Sequence, residues 1–313
     1  MCDFYKNKIF LAPMAGVTDL AFRTICKEHG ADLVVSEMIS SRGLHYKDKK
    51  TSALLKTNDT EYPLIVQLFG NEPDIMAESA KILEDMGVLY LDINMGCPAP
   101  KIVKNGDGCA LMKNEALAGK IAESVVRAVK IPVSVKFRAG WNDENKNAVS
   151  FARVMESSGV SAICVHGRTK EQFYSGTSDR EIIKAVKDSV SIPVIGNGDI
   201  VDGKSAKEMI SNTNCDSIMI GRGALGNPFI FEEVKNALND IPNIKPNISD
   251  KKQAILRHIE LMCETKDEHI GVAEMRKHFA WYLKGIPHSA KLKMQAFSAK
   301  TYDELKNLMN SII

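Results

Sequence analysis

One cysteine of this sequence lies in a loop whose composition suits chemistry. Cys97 stands between Gly96 and Pro98, and the glycine-rich segment 105–108 follows it, as in a loop that closes over a bound molecule. No strand-end pair of His and Asp marks the thiol as an acyl-transfer nucleophile. A free thiol is mostly neutral at pH 7, so Cys97 is either a proton donor or a structural cysteine, and the residue alone leaves both open.

Two glycine-rich segments suit an anion. They are Gly-Asn-Gly-Asp at 196–199 and Gly-Arg-Gly-Ala-Leu-Gly at 221–226. Glycines let backbone N–H groups approach a phosphate, and Arg222 adds a charged donor. The second segment matches a dinucleotide-binding pattern, but it follows the last strand and no clear acidic ribose partner follows it. We predict a phosphate site shared by the two loops; two tight turns without a ligand are the alternative.

The elements that position these residues are short apolar strands alternating with amphipathic helices. The expected strands are Ile9–Ala12, Leu33–Ser36, Leu64–Leu68, Tyr90–Ile93, Val133–Phe137, Ala162–Val165, Val194–Ile195 and Ser217–Ile220. Helical periodicity is clear at 73–86, 114–129, 141–158 and 179–190. This alternation predicts an α/β fold, a (β/α)₈ TIM barrel over residues 1–240. A doubly wound sheet is the alternative, but its glycine fingerprint would follow the first strand, where Pro-Met-Ala-Gly stands instead.

Polar residues recur where these strands end. In chain order the strands end in Pro13-Met14, Glu37, Gln67, Asn94, Lys136, His166, Asn197 and Gly221-Arg222, which a purely apolar core would not favour. In such a barrel the carboxyl ends of the strands form one face, which holds the active site. A phosphate after the last two strands would place its ring over the barrel mouth, and flavin mononucleotide (FMN) suits the remaining residues. Gln67 could hydrogen-bond to the pyrimidine edge of the isoalloxazine ring, and Lys136 could stabilise negative charge at the N1–C2 side of the reduced ring. Residues 13–15 could offer backbone groups and an apolar floor beneath the ring.

The end of the chain forms a separate basic unit. A Pro- and Asn-rich linker at 239–247 precedes helical periodicity over 249–313. The window 275–302 contains basic residues at 276, 277, 284, 291, 293 and 300, no acidic residue, and aromatics at 279, 281, 282, 297 and 302. Basic and aromatic side chains together suit RNA. A solvated helix face over an aromatic core is the other interpretation.

Composition excludes several classes. Of 313 residues, 44% are hydrophobic and 26% are charged, which excludes a mainly disordered chain. The net charge of +2 does not by itself indicate a nucleic-acid binder. The 7 cysteines, odd in number and without zinc-ligand spacing, indicate reduced thiols in a cytoplasmic protein without a metal site. Residues 1–6 have no apolar h-region and no run approaches 18 apolar residues, so we expect neither a signal peptide nor a membrane span. No obligate protein partner is indicated.

Several of these segments resemble the tRNA-dihydrouridine synthases, most closely the bacterial B-type branch. The similarity runs in the family's order through 11–19, 36–38, 66–70, 92–98, 135–138, 165–169, 196–199 and 220–223. Asn-Met-Gly-Cys-Pro at 94–98 and His-Gly-Arg-Thr at 166–169 are the specific motifs, whereas related flavin barrels share the segment at 196–199. Arg276-Lys277-His278, followed by Trp281-Tyr282, also resembles the family's C-terminal helical RNA-binding domain.

The resemblance implies an enzyme that reduces the C5=C6 bond of uridine in tRNA, with FMN as cofactor and NADPH as electron donor. Hydride would pass from flavin N5 to C6, and Cys97 would protonate C5 from the opposite side. The implied FMN contacts are Pro13, Met14, Ala15, Gln67, Lys136, Asn197, Gly198, Asp199, Gly221 and Arg222. Asn94, His166 and Arg168 match positions near the uracil ring or the RNA backbone.

Three alternatives stay open at this point. The same chemistry could act on ribosomal RNA or another structured RNA. A flavin barrel could instead reduce a free pyrimidine, which the basic tail and the His-Gly-Arg-Thr motif disfavour. A non-enzymatic RNA-binding protein on a barrel scaffold would be colourless. The modified uridine, the preference for NADPH over NADH, and the oligomeric state are not encoded in any motif.

Overall fold

The computed structural model describes residues 2–285 and 289–310. Positions 286–288, in the basic window of the predicted tail 249–313, and positions 311–313, at the end of that tail, therefore lie outside the described residues. The strands are β1 (Ile9–Leu11), β2 (Leu33–Ser40), β3 (Leu64–Phe69), β4 (Tyr90–Met95), β5 (Val133–Arg138), β6 (Ala162–His166), β7 (Val194–Asn197) and β8 (Ser217–Ile220).

Helices alternate with the strands and continue beyond them. They are α1 (Leu20–Glu28), α2 (Ser41–His45), α3 (Lys49–Ala53), α4 (Pro73–Asp85), α5 (Pro100–Lys104), α6 (Glu115–Ala128), α7 (Ala148–Ser157), α8 (Arg180–Lys187), α9 (Gly203–Thr213), α10 (Ile230–Leu238), α11 (Ile248–Thr265), α12 (Glu268–Tyr282), α13 (Ser289–Ser298) and α14 (Tyr302–Asn310).

All eight strands are parallel and form a closed barrel in chain order, in which β8 pairs with β1. The predicted (β/α)₈ barrel is confirmed, and the doubly wound alternative is wrong. Closure follows from the sequence because every strand is short, apolar on both faces and followed by a helix that covers the outside.

Most boundaries lie within two or three residues of those expected, and two differ by more. β2 runs to Ser40 rather than Ser36, because the register with β3 shifts between Val35 and Met38 and a bulge carries the polar residues there within the strand. α7 begins at Ala148 rather than near residue 141. The Trp141 N–H donates to the Asn145 carbonyl (3.0 Å), so this stretch turns back on itself before the helix begins.

The barrel interior changes from apolar to polar toward the mouth. Its buried cluster includes Ile65, Cys164 and Ile195. Because strand side chains alternate, the residues two positions later point to the same interior, one layer closer to the carboxyl ends. Those residues are Gln67, His166 and Asn197, which are all buried. The sequence period of the strands thus builds a polar layer at the mouth.

Helices α11–α14 pack around a buried cluster of their own that includes two residues of the barrel helix α1, Ala21 and Ile25. Lys266 after α11 donates to Asp19 before α1 (2.6 Å). A Cβ on Gly226 would lie 2.3 Å from the backbone carbonyl carbon of Trp281, so the barrel and α12 are in direct contact. The C-terminal helices therefore lie on the side of the barrel where the chain begins.

None of the helices within 2–285 and 289–310 is both long and apolar enough to cross a membrane.

Candidate active site at the barrel mouth

A chain of hydrogen bonds connects the barrel interior to the loop of Cys97. Asp92 accepts from Gln67 Nε2 (2.7 Å), and Gln67 Oε1 accepts from Asn94 Nδ2 (2.8 Å). Asn94 Oδ1 in turn accepts from the backbone N–H of Gly96 (3.2 Å) and of Cys97 (2.9 Å). Each amide therefore has only one orientation that satisfies its neighbours, which fixes the turn after β4.

The environment of Cys97 favours the neutral thiol. Its side chain is half-buried at the mouth, and burial raises the pKa of the thiol. The Cys97 carbonyl accepts from the Cys109 N–H (3.0 Å), and the Gly96 carbonyl accepts from Arg138 Nε (2.9 Å). The loop is thus held on both sides, and burial keeps its thiol neutral.

Positive charge surrounds this region. Burial, followed by the charges of Lys136, Arg138, Arg168 and Arg222, lowers the pKa of His166 well below its usual range. His166 is therefore neutral at pH 7. Of the residues that the structure describes, none forms an ion pair with Lys136. Such a layer is suited to an anionic ligand or to negative charge that develops during a reaction.

The loops after β7 and β8 expose a group of backbone donors. The N–H groups of Gly198, Asp199, Gly221, Arg222 and Gly223 donate to no acceptor within the described part of the chain. A Cβ on Gly198, whose φ is +127°, would lie 2.2 Å from Ser178 Oγ, so only glycine fits there. Asn197 Nδ2 donates to the Met219 carbonyl (2.8 Å) and ties the two strands together. The arrangement is a nest of N–H groups that fits a phosphate.

The third glycine of the GxGxxG segment has a different function from the other two. Gly226 has a φ of +68° and contacts the backbone of Trp281. It therefore serves the packing of α12, and the anion nest uses the first two glycines.

The segment after β1 closes the opposite edge of the nest. Pro13 and Met14 are half-buried and Ala15 is exposed. The Thr18 side chain accepts from the Met14 N–H (2.9 Å), and a Cβ on Gly221 would lie 3.9 Å from Met14 Sδ. The predicted floor residues thus adjoin the predicted phosphate loops.

Two predicted site residues are paired with each other. Arg168 Nη1 and Nη2 donate to the Asp199 carboxylate (2.7 and 2.9 Å), and Arg168 is only 2% exposed. Although burial opposes it, these bonds lower the pKa of Asp199. Arg222 approaches the same carboxylate (3.3 Å). Arg168 therefore positions Asp199 and, through it, Arg222; a direct contact of Arg168 with substrate stays a prediction.

Sequence reasoning gave no role to two residues that support the site. Asp92, two residues before Asn94 on the same strand face, anchors the hydrogen-bond chain, and burial raises its pKa to about 6. The period of two along β4 was the available signal. Arg138 binds the carbonyls of Gly96, Thr169 and Phe173 (2.9 Å each) and joins three loops, which no local motif indicates.

Most tail aromatics form a core rather than a stacking surface. Phe279 and Tyr282 are buried, whereas Phe297 is 53% exposed. Arg276 donates to the Ala299 carbonyl (2.7 Å), and Lys277 donates to the Gly16 carbonyl. Within the described part of the window 275–302, the exposed cations are Lys284, Lys291 and Lys300.

Among the described residues, no group of three or more His, Cys, Asp or Glu side chains could hold a metal ion.

The closed barrel, the group of backbone N–H donors after β7 and β8, and the neutral thiol at the mouth are features of an enzyme of the (β/α)₈ class. The fold alone is shared with a variant of NCR from Zymomonas mobilis (TM-score 0.52, 15% identity, covering 78% of this chain and 90% of that chain). It is also shared with histamine dehydrogenase from Rhizobium sp. 4-9 (TM-score 0.57, 11% identity, covering 97% of this chain and 62% of that chain).

Sequence comparison is more specific. A family model described as Dihydrouridine synthase (Dus) matches residues 10–313. A probable tRNA-dihydrouridine synthase of Rickettsia conorii is 46% identical over 292 residues, 92% of this chain and 88% of the relative. tRNA-dihydrouridine synthase B of Pasteurella multocida is 40% identical over 297 residues, which cover 95% of this chain and 89% of the relative.

The chain belongs to the dihydrouridine synthase family. The resemblance seen in the motifs is confirmed, as is the prediction of a flavin-dependent oxidoreductase.

Proposed function

We propose that this chain is a tRNA-dihydrouridine synthase that uses FMN and NADPH to reduce the C5=C6 bond of uridine. The observation that carries the proposal is Cys97, a thiol kept protonated by burial and anchored by Asn94 at the barrel mouth. A uridine reductase needs a proton donor for C5 that faces the cofactor across the substrate.

The residues at the mouth fit FMN. The unpaired N–H groups of the β7 and β8 loops, with Arg222, would hold its phosphate. Lys136 would face the pyrimidine side of the ring, and Gln67, whose amide Asp92 orients, would contact its edge. When bound, the flavin supplies the hydride. The proposed contact set is Pro13, Met14, Ala15, Gln67, Lys136, Asn197, Gly198, Asp199, Gly221 and Arg222.

The protein's own residues manage the proton. Cys97 Sγ holds it for C5, and the bond between Asn94 and the Cys97 N–H fixes where Sγ lies. The His166 imidazole is neutral and makes no side-chain hydrogen bond within the described residues, so it is available to the uracil or the ribose. Burial raises the pKa of the Cys97 thiol and outweighs the charges of Arg138 and Lys136, which lower it, so the pKa stays raised. The same cations would stabilise negative charge that develops on the substrate.

Residues 1–240 would then act as the catalytic domain and 249–313 as a helical RNA-binding domain, in the cytoplasm. A uridine must leave its stack to reach the mouth, and a second unit that grips the RNA makes this possible.

The function is tested by mapping dihydrouridine in all cellular RNAs with and without this protein. Loss of the modification at tRNA positions alone supports the proposal. Loss only in ribosomal RNA would assign the other substrate, and activity on free uridine with no change in any RNA would contradict RNA modification altogether.

A further inference from the structure

Two lysines converge on one indole ring at the rim of the barrel mouth. Lys113 Nζ lies 3.5 Å from the centroid of the Trp141 ring, and Lys170 Nζ lies 4.5 Å from it. A cation near an aromatic face is stabilised by the ring quadrupole, but two cations at the same ring repel each other.

Neither ammonium is neutralised by the protein. Within residues 2–285 and 289–310, neither lysine forms an ion pair. The exposed acidic residues of the same loops are Asp143, Glu144 and Glu171, and Asp143 instead pairs with Lys146 (3.2 Å). An anion that bridges both lysines would remove their repulsion.

Lys113 and Lys170, here called the rim pair, are held in place because hydrogen bonds join the three loops that carry them and Trp141. The Lys170 N–H donates to the Gly140 carbonyl (2.9 Å), and the Glu171 N–H donates to the Trp141 carbonyl (3.0 Å). Asn147 Nδ2 donates to the Met112 carbonyl (2.8 Å) and ties the segment of Lys113 to the same structure.

The rim pair is also coupled to the reactive cysteine. Residues Gly108–Lys113 form one 3-10 helix, and its Cys109 N–H donates to the Cys97 carbonyl (3.0 Å). With a rise of roughly 2.0 Å per residue, Lys113 lies about 8 Å further along this helix. A ligand at the lysines is therefore a neighbour of a substrate at Cys97.

We propose that Lys113, Lys170 and Trp141 form a phosphate clamp for the RNA backbone beside the target uridine. The inference rests on the proposed function and adds a second place of contact. The loop after β5 lies across the eight-stranded barrel from β1, the side on which α11 and α12 pack. RNA that spans the mouth would thus be held at the C-terminal helices on one side and at this clamp on the other.

The test measures the salt dependence of tRNA binding by Lys113→Gln/Lys170→Gln. The matched control is Lys81→Gln/Lys120→Gln, which removes the same charge from exposed positions on α4 and α6. Loss of two phosphate contacts should lower the magnitude of the slope of log affinity against log salt by about 1.4–1.8 and weaken binding about 10- to 50-fold at 0.1 M salt. The control should keep the wild-type slope.

The outcomes separate the two proposals. A wild-type slope in the Lys113/Lys170 variant, with normal tRNA binding by the wild type, overturns the clamp and leaves the function intact. A raised KM for NADPH with an unchanged RNA slope also overturns it, because the clamp would then hold a phosphate of the reductant. Failure of the wild-type protein to bind tRNA counts against the proposed function itself.

Discussion

The Asn94 side chain accepts a hydrogen bond from the backbone N–H of Cys97 (2.9 Å), so a strand residue fixes the turn that carries the reactive thiol. Asn94 is oriented by Gln67, and Gln67 by Asp92 (2.7 Å). The position of the sulfur therefore depends on a carboxylate inside the barrel.

Asp92→Ala should loosen the Cys97 loop. The change leaves Gln67 Nε2 buried without its acceptor, which costs about 1–3 kcal/mol of unfolding free energy, measured by urea denaturation. Alkylation of Cys97 should accelerate relative to that of Cys263, the half-buried tail cysteine. Asp92→Asn retains one acceptor oxygen, so its rate of Cys97 alkylation should lie between the rates of the wild type and Asp92→Ala. Equal alkylation rates in wild type and Asp92→Ala would show that the chain of bonds does not control the loop.

Arg222→Ala should weaken FMN binding. It removes a charge-assisted contact worth about 1.5–3 kcal/mol, a loss of roughly 10- to 150-fold in affinity measured by fluorescence titration. Arg153→Ala, an exposed change on α7, is the control. Unchanged FMN affinity in Arg222→Ala would remove Arg222 from the phosphate site.

Stability should fall in mild acid because of a buried histidine in the C-terminal helices. Burial lowers the pKa of His258 to about 4, against about 6.5 in an unfolded chain. As pH falls, the unfolded state therefore binds a proton before the folded state does. The contribution of neutral His258 to the free energy of unfolding is complete above pH 6.5, and up to about 3 kcal/mol of it is lost as pH falls toward 4. Urea unfolding at pH 7.5 and 5 measures it.

His258→Phe should reduce that pH dependence, and His45→Gln on α2 should not. A pH profile of His258→Phe that coincides with the wild-type profile would place the acid sensitivity elsewhere.

The exposed tail lysines should control RNA affinity. Neutralising Lys284, Lys291 and Lys300 should flatten the salt slope by roughly 0.7–0.9 for each lysine that contacts a phosphate. Arg276→Ala should instead lower stability, because the Ala299 carbonyl loses its donor. If the triple variant binds tRNA with the wild-type slope, RNA recognition lies on the barrel rim.

Strand period and glycine placement were sufficient to predict the barrel and the set of polar residues at its mouth. Gln67, Asn94 and Lys136 all point to the barrel interior because side chains alternate along a strand, and this alternation can be recognised in the sequence. The β2 bulge was missed because Ser36 and Glu37 look like a loop when read alone.

Contacts between residues far apart in the chain could not be predicted from the sequence. The contact between Lys277 and the Gly16 carbonyl and the burial of Phe279 depend on how α12 packs against α1, which no local pattern encodes. The sequence therefore left an RNA surface and a solvated helix face over an aromatic core both open. It could not show that Arg276 and Lys277 donate to backbone carbonyls.

The most direct test of the central claim follows flavin oxidation state in Cys97→Ala during a single turnover. The variant should be reduced by NADPH at the wild-type rate, because Cys97 takes no part in that step. Reoxidation by tRNA under anaerobic conditions should slow by about 10²–10⁴-fold, since the proton for C5 lacks its donor. Cys263→Ala should behave as wild type. Reoxidation of Cys97→Ala by tRNA at the wild-type rate would contradict the assignment of Cys97 as proton donor.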